Sequence, residues 1–350
     1  MKKITFGSTG LILEKNGFGC LPIQRVSEEE AVRLLHMAYD GGINFFDTAR
    51  AYSDSEKKVG AAFSGMRDRI VLATKTGAQT AEGFWRDLET SLRTLKTDYI
   101  DVYQFHNPPF CPKPGGADGL YDAALEAKKQ GKIRCIGITN HRLAVAHEAI
   151  GSGLYASLQF PFSYLSGAPE QELVEKCRRS GMGFIAMKGM AGGLIRDGLT
   201  AAAWMAEQED VIPIWGVQRE SELKQFLQAV HEGAVLTPER RAVIERDRAE
   251  LCGDFCRGCG YCMPCPAGIE INQCARIILM LRRAPEKDWL TEEWQGKMHQ
   301  IEKCLHCGRC RSKCPYSLNT PELLQKNYAE YWKILEESKE VSETAGHEKA

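Results

Sequence analysis

Ten of the chain's 14 cysteines lie between Cys252 and Cys314, and eight of those form two runs whose spacing suits iron and sulfide. The first run is Cys256-Arg-Gly-Cys259-Gly-Tyr-Cys262-Met-Pro-Cys265-Pro266, and the second is Cys304-Leu-His-Cys307-Gly-Arg-Cys310-Arg-Ser-Lys-Cys314-Pro315. Three thiolates at two-residue intervals can wrap one face of a cubane, and a following Cys-Pro turns away to ligate the other cluster of a two-cluster ferredoxin. The second run matches that spacing throughout, whereas the first is one residue short before its last cysteine. The spacing predicts two [4Fe-4S] clusters, one on Cys256, Cys259, Cys262 and Cys314, the other on Cys304, Cys307, Cys310 and Cys265.

Rival readings explain less of the pattern. Zinc knuckles use paired cysteines but need no third evenly spaced thiolate, and nothing in the sequence suggests the secretion that a disulfide framework implies. The stretch Cys252-Gly-Asp-Phe-Cys256-Arg-Gly-Cys259 has the spacing of radical S-adenosylmethionine enzymes, yet it lies inside the ferredoxin-like run and not after an early strand. Cys252 and Cys274 are then spare, and are expected as buried thiols. Lys303, Arg309, Arg311 and Lys313 crowd the second run, either compensating a negatively charged cluster or docking an acidic electron carrier.

A second set of chemically able residues stands far upstream: Asp47, Tyr52, Lys75 and His106. Each alone has a dull explanation, such as a rim-packing phenol, a structural ion pair or a loop-capping imidazole. Together they supply a phenol acid, a cation expected to lower its pKa from about 10, a carboxylate to hold that cation, and an imidazole donor for a substrate oxygen. That set suits carbonyl reduction.

Strands must bring these four together. Eight β-branched or aromatic runs, at residues 16–21, 43–46, 70–74, 100–105, 133–139, 157–160, 183–187 and 211–217, alternate with stretches of helical period. Most are continuously apolar, as strands covered on both faces are. Ala31, Leu34, Leu35 and Ala38 share one helical face, as do Phe84, Leu88, Leu92 and Leu95; Ser27 with Glu30 reads as a capping box, and Gly41 and Gly42 as a stop. Eight repeats predict a (β/α)8 TIM barrel over residues 1–235, because a doubly wound sheet would be expected to carry a Gly-rich fingerprint after its first strand. Asp47, Lys75 and His106 then end three successive strands, at the rim where catalytic groups stand. Residues 4–14 read as a hairpin, a plug under the barrel. A helical linker at 236–250, a small, mainly helical ferredoxin-like iron-sulfur domain at 251–337 and a frayed tail at 338–350 are expected to follow.

Charge narrows the function classes. Forty-five basic against 46 acidic side chains leave a net charge of -1, which disfavours a nucleic-acid partner. No stretch is long and apolar enough to span a bilayer, so no membrane role and a cytoplasmic location are expected.

The segments Gly42-Ile-Asn-Phe-Phe-Asp47-Thr-Ala-Arg-Ala-Tyr52, Ala73-Thr74-Lys75, Tyr103-Gln-Phe-His106-Asn107 and Ile136-Gly-Ile-Thr139-Asn140-His141 resemble the active-site segments of the aldo-keto reductase superfamily, in the same order. The cysteine tail resembles the branch with a carboxyl-terminal ferredoxin-type domain. The resemblance implies a catalytic tetrad of Asp47, Tyr52, Lys75 and His106, with Tyr52 as general acid/base, and NADP or NAD as cofactor. It also implies that Thr139, Asn140 and Gln159 hold the nicotinamide carboxamide and that Gly19, Cys20 and Met187 bind the cofactor. The loop of Lys188, Gly189, Gly192 and Gly193 would approach the pyrophosphate, Gly216, Gln218 and Arg219 would meet the adenosine end, and Glu222 would also bind the cofactor. Met187-Lys188 stands where many members have Tyr-Ser, removing the usual aromatic platform unless Trp215 serves, and Phe226 stands where an asparagine often contacts adenine. Residues 107–119 form a candidate lid. The expected function is reduction of an aldehyde or ketone, or oxidation of an alcohol, by an enzyme that also carries two clusters. The alternatives are an electron-transfer or redox-sensing protein on a barrel scaffold, or a coupled enzyme with a flavin or another linking cofactor.

Overall fold

A computed structural model describes residues 3–251, 255–283 and 288–347. Strands β1 (Lys3–Thr5) and β2 (Ile12–Glu14) pair antiparallel, and eight parallel strands close a barrel: β3 (Gly17–Gly19), β4 (Phe45–Asp47), β5 (Val71–Thr76), β6 (Ile100–His106), β7 (Ile133–Thr139), β8 (Ser157–Pro161), β9 (Gly183–Met187) and β10 (Val211–Trp215). β3 closes the ring by pairing with both β4 and β10. The first strand is shorter than the expected 16–21. After Cys20, whose N–H still donates to Asp47 O at 2.8 Å, Pro22 opens a 3₁₀ turn, and proline has no N–H to extend a ladder.

The returning helices are α1 (Glu28–Asp40), α2 (Ser55–Phe63), α3 (Ala81–Leu95), α4 (Leu120–Lys129), α5 (Leu143–Ser152), α6 (Ala168–Ser180), α7 (Gly198–Glu207) and α8 (Glu220–His231). α1 starts where Ser27 accepts from the Glu30 N–H at 3.1 Å, and it buries Ala31, Leu34, Leu35 and Ala38. α3 is capped by Thr80 and buries Phe84, Leu88, Leu92 and Leu95. The β1–β2 hairpin is a plug: Phe6 and Leu13 are fully buried in one cluster with Phe45, Val102, Ile185 and Ile212. Each such aromatic or aliphatic side chain contributes roughly 1.5–3 kcal/mol by leaving water. Gly7 is required at the plug, since a Cβ there would stand 2.4 Å from the Gly183 nitrogen, and its φ is +51°.

The chain divides into two compact units, one of Met1–Met190 with Asp197–Ile244, the other of Ala191–Arg196 with Glu245–Ala350. The division falls inside α9 (Pro238–Leu251). The second unit contains α10 (Ile271–Cys274), α11 (Ile277–Arg283), α12 (Glu292–His299), α13 (Arg309–Lys313) and α14 (Thr320–His347). Its core gathers Ile269, Ile277, Met298, Ile301, Leu324 and Tyr331. The tail expected to fray from 338 is helical through His347, as the end of α14. Cys274 is the buried thiol expected, while Cys252 lies outside the described residues. Among the described residues, no helix is long and apolar enough to cross a membrane.

Candidate functional site

Parallel register sets the rim. Asp47 on β4 lies opposite Ala73 on β5, and Lys75, two residues further along β5, lies opposite Gln104 on β6. Lys75 Nζ donates to Asp47 Oδ2 at 2.6 Å and to Thr48 O at 2.7 Å, and the two side chains are 1% and 2% exposed. Neither charge could remain buried without the other. Tyr52, half-buried in the loop between β4 and α2, stands with its ring centroid 5.2 Å from Lys75 Nζ. The His106 ring meets it edge-on, centroids 5.8 Å apart at 83°. The four predicted tetrad residues are therefore together.

The loop that carries Tyr52 is pinned from below. Arg50 N–H donates to Lys75 O at 3.0 Å, and the Arg50 guanidinium pairs with the buried Glu56 carboxylate. Glu56 also accepts from Thr74 Oγ1 at 2.8 Å and Ser91 Oγ at 2.7 Å. Ser55 Oγ donates to Cys20 O at 2.8 Å, tying the start of α2 to the end of β3.

The electrostatics correct one expectation. The Tyr52 phenol is held above its ordinary value, first by burial and then by the Asp47 and Cys20 charges, and is not lowered by Lys75. Asp47 cancels the ammonium at close range, so the desolvation of a phenolate prevails. Burial, reinforced by Lys75, pushes the His106 imidazole down to about 3. The rim thus presents a neutral phenol and a neutral imidazole at ordinary pH.

Several residues predicted at the cofactor ring the same opening. Thr139 on β7 pairs with His106 on β6 and with Gln159 on β8. Gln159 Oε1 accepts from Gln104 Nε2 at 2.9 Å, and its own amide lies 3.4 Å from Asp47 Oδ2. Asn140 Nδ2 donates to Pro108 O at 2.8 Å while its oxygen accepts from the His141 and Arg142 N–H groups, which leaves one amide hydrogen over. Gly19 and Gly216 approach closely, an added Cβ on Gly19 standing 3.6 Å from the Gly216 nitrogen, and Cys20 is buried beside them. Met187 ends β9, Lys188 has a positive φ of 59°, and a Cβ on Gly189 would meet the Trp215 ring at 2.9 Å. At the start of α8, the Gln218 and Arg219 N–H groups donate to Glu222, Gln218 Oε1 is buried with no hydrogen-bond partner, and the Arg219 side chain is exposed. Gly192 falls in the second compact unit, where Arg276 donates to its carbonyl at 2.6 Å.

In that second unit the cysteines interleave. One cavity is lined by Cys265 from the first run together with Cys304, Cys307 and Cys310 from the second, and Cys262 also reaches it. Cys256 lies in the field of Cys259 and of Cys314, so a second grouping also crosses between runs. All eight thiols are free of disulfides. Among the described residues no three His, Cys, Asp or Glu side chains are grouped as a single ion requires, whereas the four thiolates of a cubane each bind a different iron and stand further apart. The cations differ between runs. Arg276, 8% exposed, lies within the electrostatic field of Cys256, and Arg257 lies over the Phe255 and Tyr316 rings at 4.7 and 4.4 Å. Lys303, Arg309 and Arg311 are exposed.

Residues 3–200, which include all four rim residues, match the Aldo/keto reductase family. The chain belongs to the aldo/keto reductase family. Residues 255–319 of this aldo/keto reductase, which include both cysteine runs, match a 4Fe-4S dicluster domain. It is similar to the uncharacterized oxidoreductase YqkF of Bacillus subtilis, 33% identical over 187 residues, a match spanning 49% of this chain and only 60% of that relative's length. An aldo-keto reductase from Bacillus halodurans in its holo form matches with a TM-score of 0.62 at 27% identity, covering 71% of this chain and 96% of that one. One from Klebsiella pneumoniae, in complex with NADPH, matches with a TM-score of 0.61 at 25% identity, covering 70% and 95%.

Two groups at the rim of this aldo/keto reductase escaped the sequence reading. Gln104, fully buried, donates to Asp47 Oδ1 at 3.2 Å as well as to Gln159. Its signal was a lone amide two residues before His106, hence on the same strand face. The Arg50–Glu56 pair left no comparable trace, because a charge pair six residues apart also fits an exposed helix start. Trp215, the alternative aromatic platform, is 6% exposed, with Nε1 donating to Asn16 at 2.8 Å and its ring tilted against Phe226.

Proposed function

We propose that this aldo/keto reductase reduces an aldehyde or ketone with NADP or NAD as hydride donor and Tyr52 as general acid, and that its cysteine runs hold two [4Fe-4S] clusters. The observation that carries the first half is the buried Lys75–Asp47 pair, 2.6 Å apart, beside a phenol that His106 meets edge-on. Bound nicotinamide supplies the hydride; the chain supplies the proton and the orientation. Because burial and Asp47 keep the phenol protonated through neutral pH, Tyr52 has a proton to give as charge develops on the carbonyl oxygen. The neutral His106 ring donates one N–H to that oxygen. As the proton leaves, the new phenolate lies beside the Lys75 ammonium, which Asp47, Gln104 and Gln159 hold in position. Alcohol oxidation requires the phenolate beforehand, so the same groups favour reduction at neutral pH.

The residues fit a dinucleotide. Thr139, the remaining amide hydrogen of Asn140 and Gln159 suit the nicotinamide carboxamide, with Gly19, Cys20 and Met187 beside it, and the loop that starts at Lys188 and Gly189 suits the pyrophosphate. The orphaned Gln218 carbonyl, with Gly216, Arg219 and Glu222, suits the adenosine end. The NADPH-bound relative from Klebsiella pneumoniae supports the same reading. The thiol-only donor sets fit iron-sulfur clusters, Cys265 with Cys304, Cys307 and Cys310, and Cys314 with Cys256, Cys259 and Cys262. The test is Tyr52→Phe, prepared anaerobically. NAD(P)H-dependent turnover of every accepted carbonyl is expected to fall by roughly 10²- to 10⁴-fold at unchanged iron content, about eight per chain. Unchanged turnover would instead favour an electron-transfer or redox-sensing protein on a barrel scaffold.

A further inference from the structure

From residue 303 to 313 the chain carries four cations and no acid: Lys303, Arg309, Arg311 and Lys313. Lys303, Arg309 and Arg311 are exposed. Between them Leu305 is 66% exposed, one of the few large apolar side chains turned to solvent, and it lines the same cavity as Cys304, Cys307 and Cys310. Cys307 is itself exposed, unlike the other thiols of the two runs. The nearest acid in sequence, Glu302, is engaged by Tyr328 and by His299 at 3.3 Å.

A buried cation in the field of a thiol, as Arg276 is in that of Cys256, suits compensation of a buried cluster charge. Cations turned outward around an apolar tip and an exposed thiol have a different use. A charged rim steers an oppositely charged protein, and an apolar centre gives the encounter a short-range contact. An exposed sulfur ligand shortens the path of an electron to the surface.

We infer that the Cys304–Cys310 loop is a docking surface for an acidic one-electron carrier protein, with Leu305 as its apolar centre. This rests on the reading that the second run holds a [4Fe-4S] cluster. In the exchange, the reduced carrier loses one electron and the cluster gains it, its core passing from the 2+ to the 1+ level; no bond to sulfur is broken and no proton moves.

The test uses the full-length protein, purified anaerobically, with a reduced acidic [2Fe-2S] ferredoxin as the probe and stopped-flow absorbance as the readout. The variant Lys303→Glu/Arg309→Glu/Arg311→Glu is expected to accept electrons from ferredoxin at least tenfold more slowly at low salt. Its reduction by dithionite should match that of the parent. Raising the salt should slow the parent, whose patch attracts the carrier, and speed the Glu variant, whose patch repels it, so that the two rates converge. A triple Gln variant should fall between the two, and Leu305→Asp should slow transfer without flattening the salt dependence. The inference is overturned if the parent takes no electrons from ferredoxin, if the Glu variant stays within twofold of it, or if ferredoxin and dithionite rates fall together. Parent protein that binds no iron would sink the cluster reading itself, a result told apart by iron analysis before any mixing.

Discussion

At the barrel rim, charge is buried and answered within the protein: Lys75 has Asp47 and Thr48, Asp47 has two amides besides, and Glu56 has Arg50, Thr74 and Ser91. On the second cysteine run, cations face water and thiols stand without partners of their own chemistry. The rim is complete before any ligand arrives, so its residues should act mainly on rate. The cysteine unit matches a 4Fe-4S dicluster domain, so its residues should act mainly on iron content and potential. Changes at the rim and in the cysteine unit should accordingly separate in what they disturb.

The largest separation comes from Tyr52→Phe. Removing the proton donor should lower carbonyl turnover by roughly 10²- to 10⁴-fold, about 3–5 kcal/mol of transition-state stabilisation, while the iron-sulfur absorbance stays unchanged. Loss of both together would mean that the two regions are not independent.

Glu56→Ala comes next and asks whether the rim's buried charges support structure or chemistry. It strips Arg50 of its carboxylate and leaves Thr74 and Ser91 without an acceptor. Arg50 is 28% exposed, so water meets part of the loss, and the cost should be about 3 kcal/mol of barrel stability, at the lower end for breaking a buried pair. Denaturant unfolding measures it. If stability is unchanged but turnover falls, the pair positions Tyr52 and does not support the fold.

Much of this was legible in residue order. The eight strands could be read because a strand covered on both faces is a continuous apolar run, and β7 and β9 match their expected limits end to end. The grouping of Asp47, Tyr52, Lys75 and His106 was legible because each stands at, beside or just after the carboxyl end of a strand. What could not be read was direction and depth. Nothing in the order of residues says that Asp47 would cancel Lys75 closely enough to leave Tyr52 neutral, because that depends on a 2.6 Å contact between strands. Nor does order separate Arg276, buried toward Cys256, from Arg309, facing solvent; spacing reports which thiols are near each other, not which way a cation points.

That last difference can itself be broken. Arg276→Gln removes a buried positive charge near Cys256, and a cluster becomes more negative on reduction, so its midpoint potential should fall. One charge several ångströms away at an effective dielectric near 20 is on the order of 2 kcal/mol, about 100 mV for a one-electron couple. Arg311→Gln, at the exposed run, should shift the potential by a small fraction of that, because water screens it. Redox titration followed by electron paramagnetic resonance compares the two. Equal shifts would erase the distinction between an inward and an outward cation.

The smallest expected effect is an absence. An imidazole of ordinary pKa would place a limb near pH 6.5 in the pH profile of kcat/KM for carbonyl reduction. His106 is pushed down to about 3 and Tyr52 up, so neither changes charge between about pH 5 and 9 and the profile should be flat there. Stability should not be flat. The unfolded imidazole takes up its proton near pH 6.5 while the folded one does so only near 3, so the unfolded state binds more protons between those values. The contribution of His106 to stability is therefore whole above about pH 6.5 and is lost as the pH falls toward 3. His106→Gln should remove that acid sensitivity in the barrel while the cysteine unit's response stays as it was. A limb near pH 6.5 in the parent's rate profile would show that the imidazole titrates normally, and that the rim is more open to water than its packing implies.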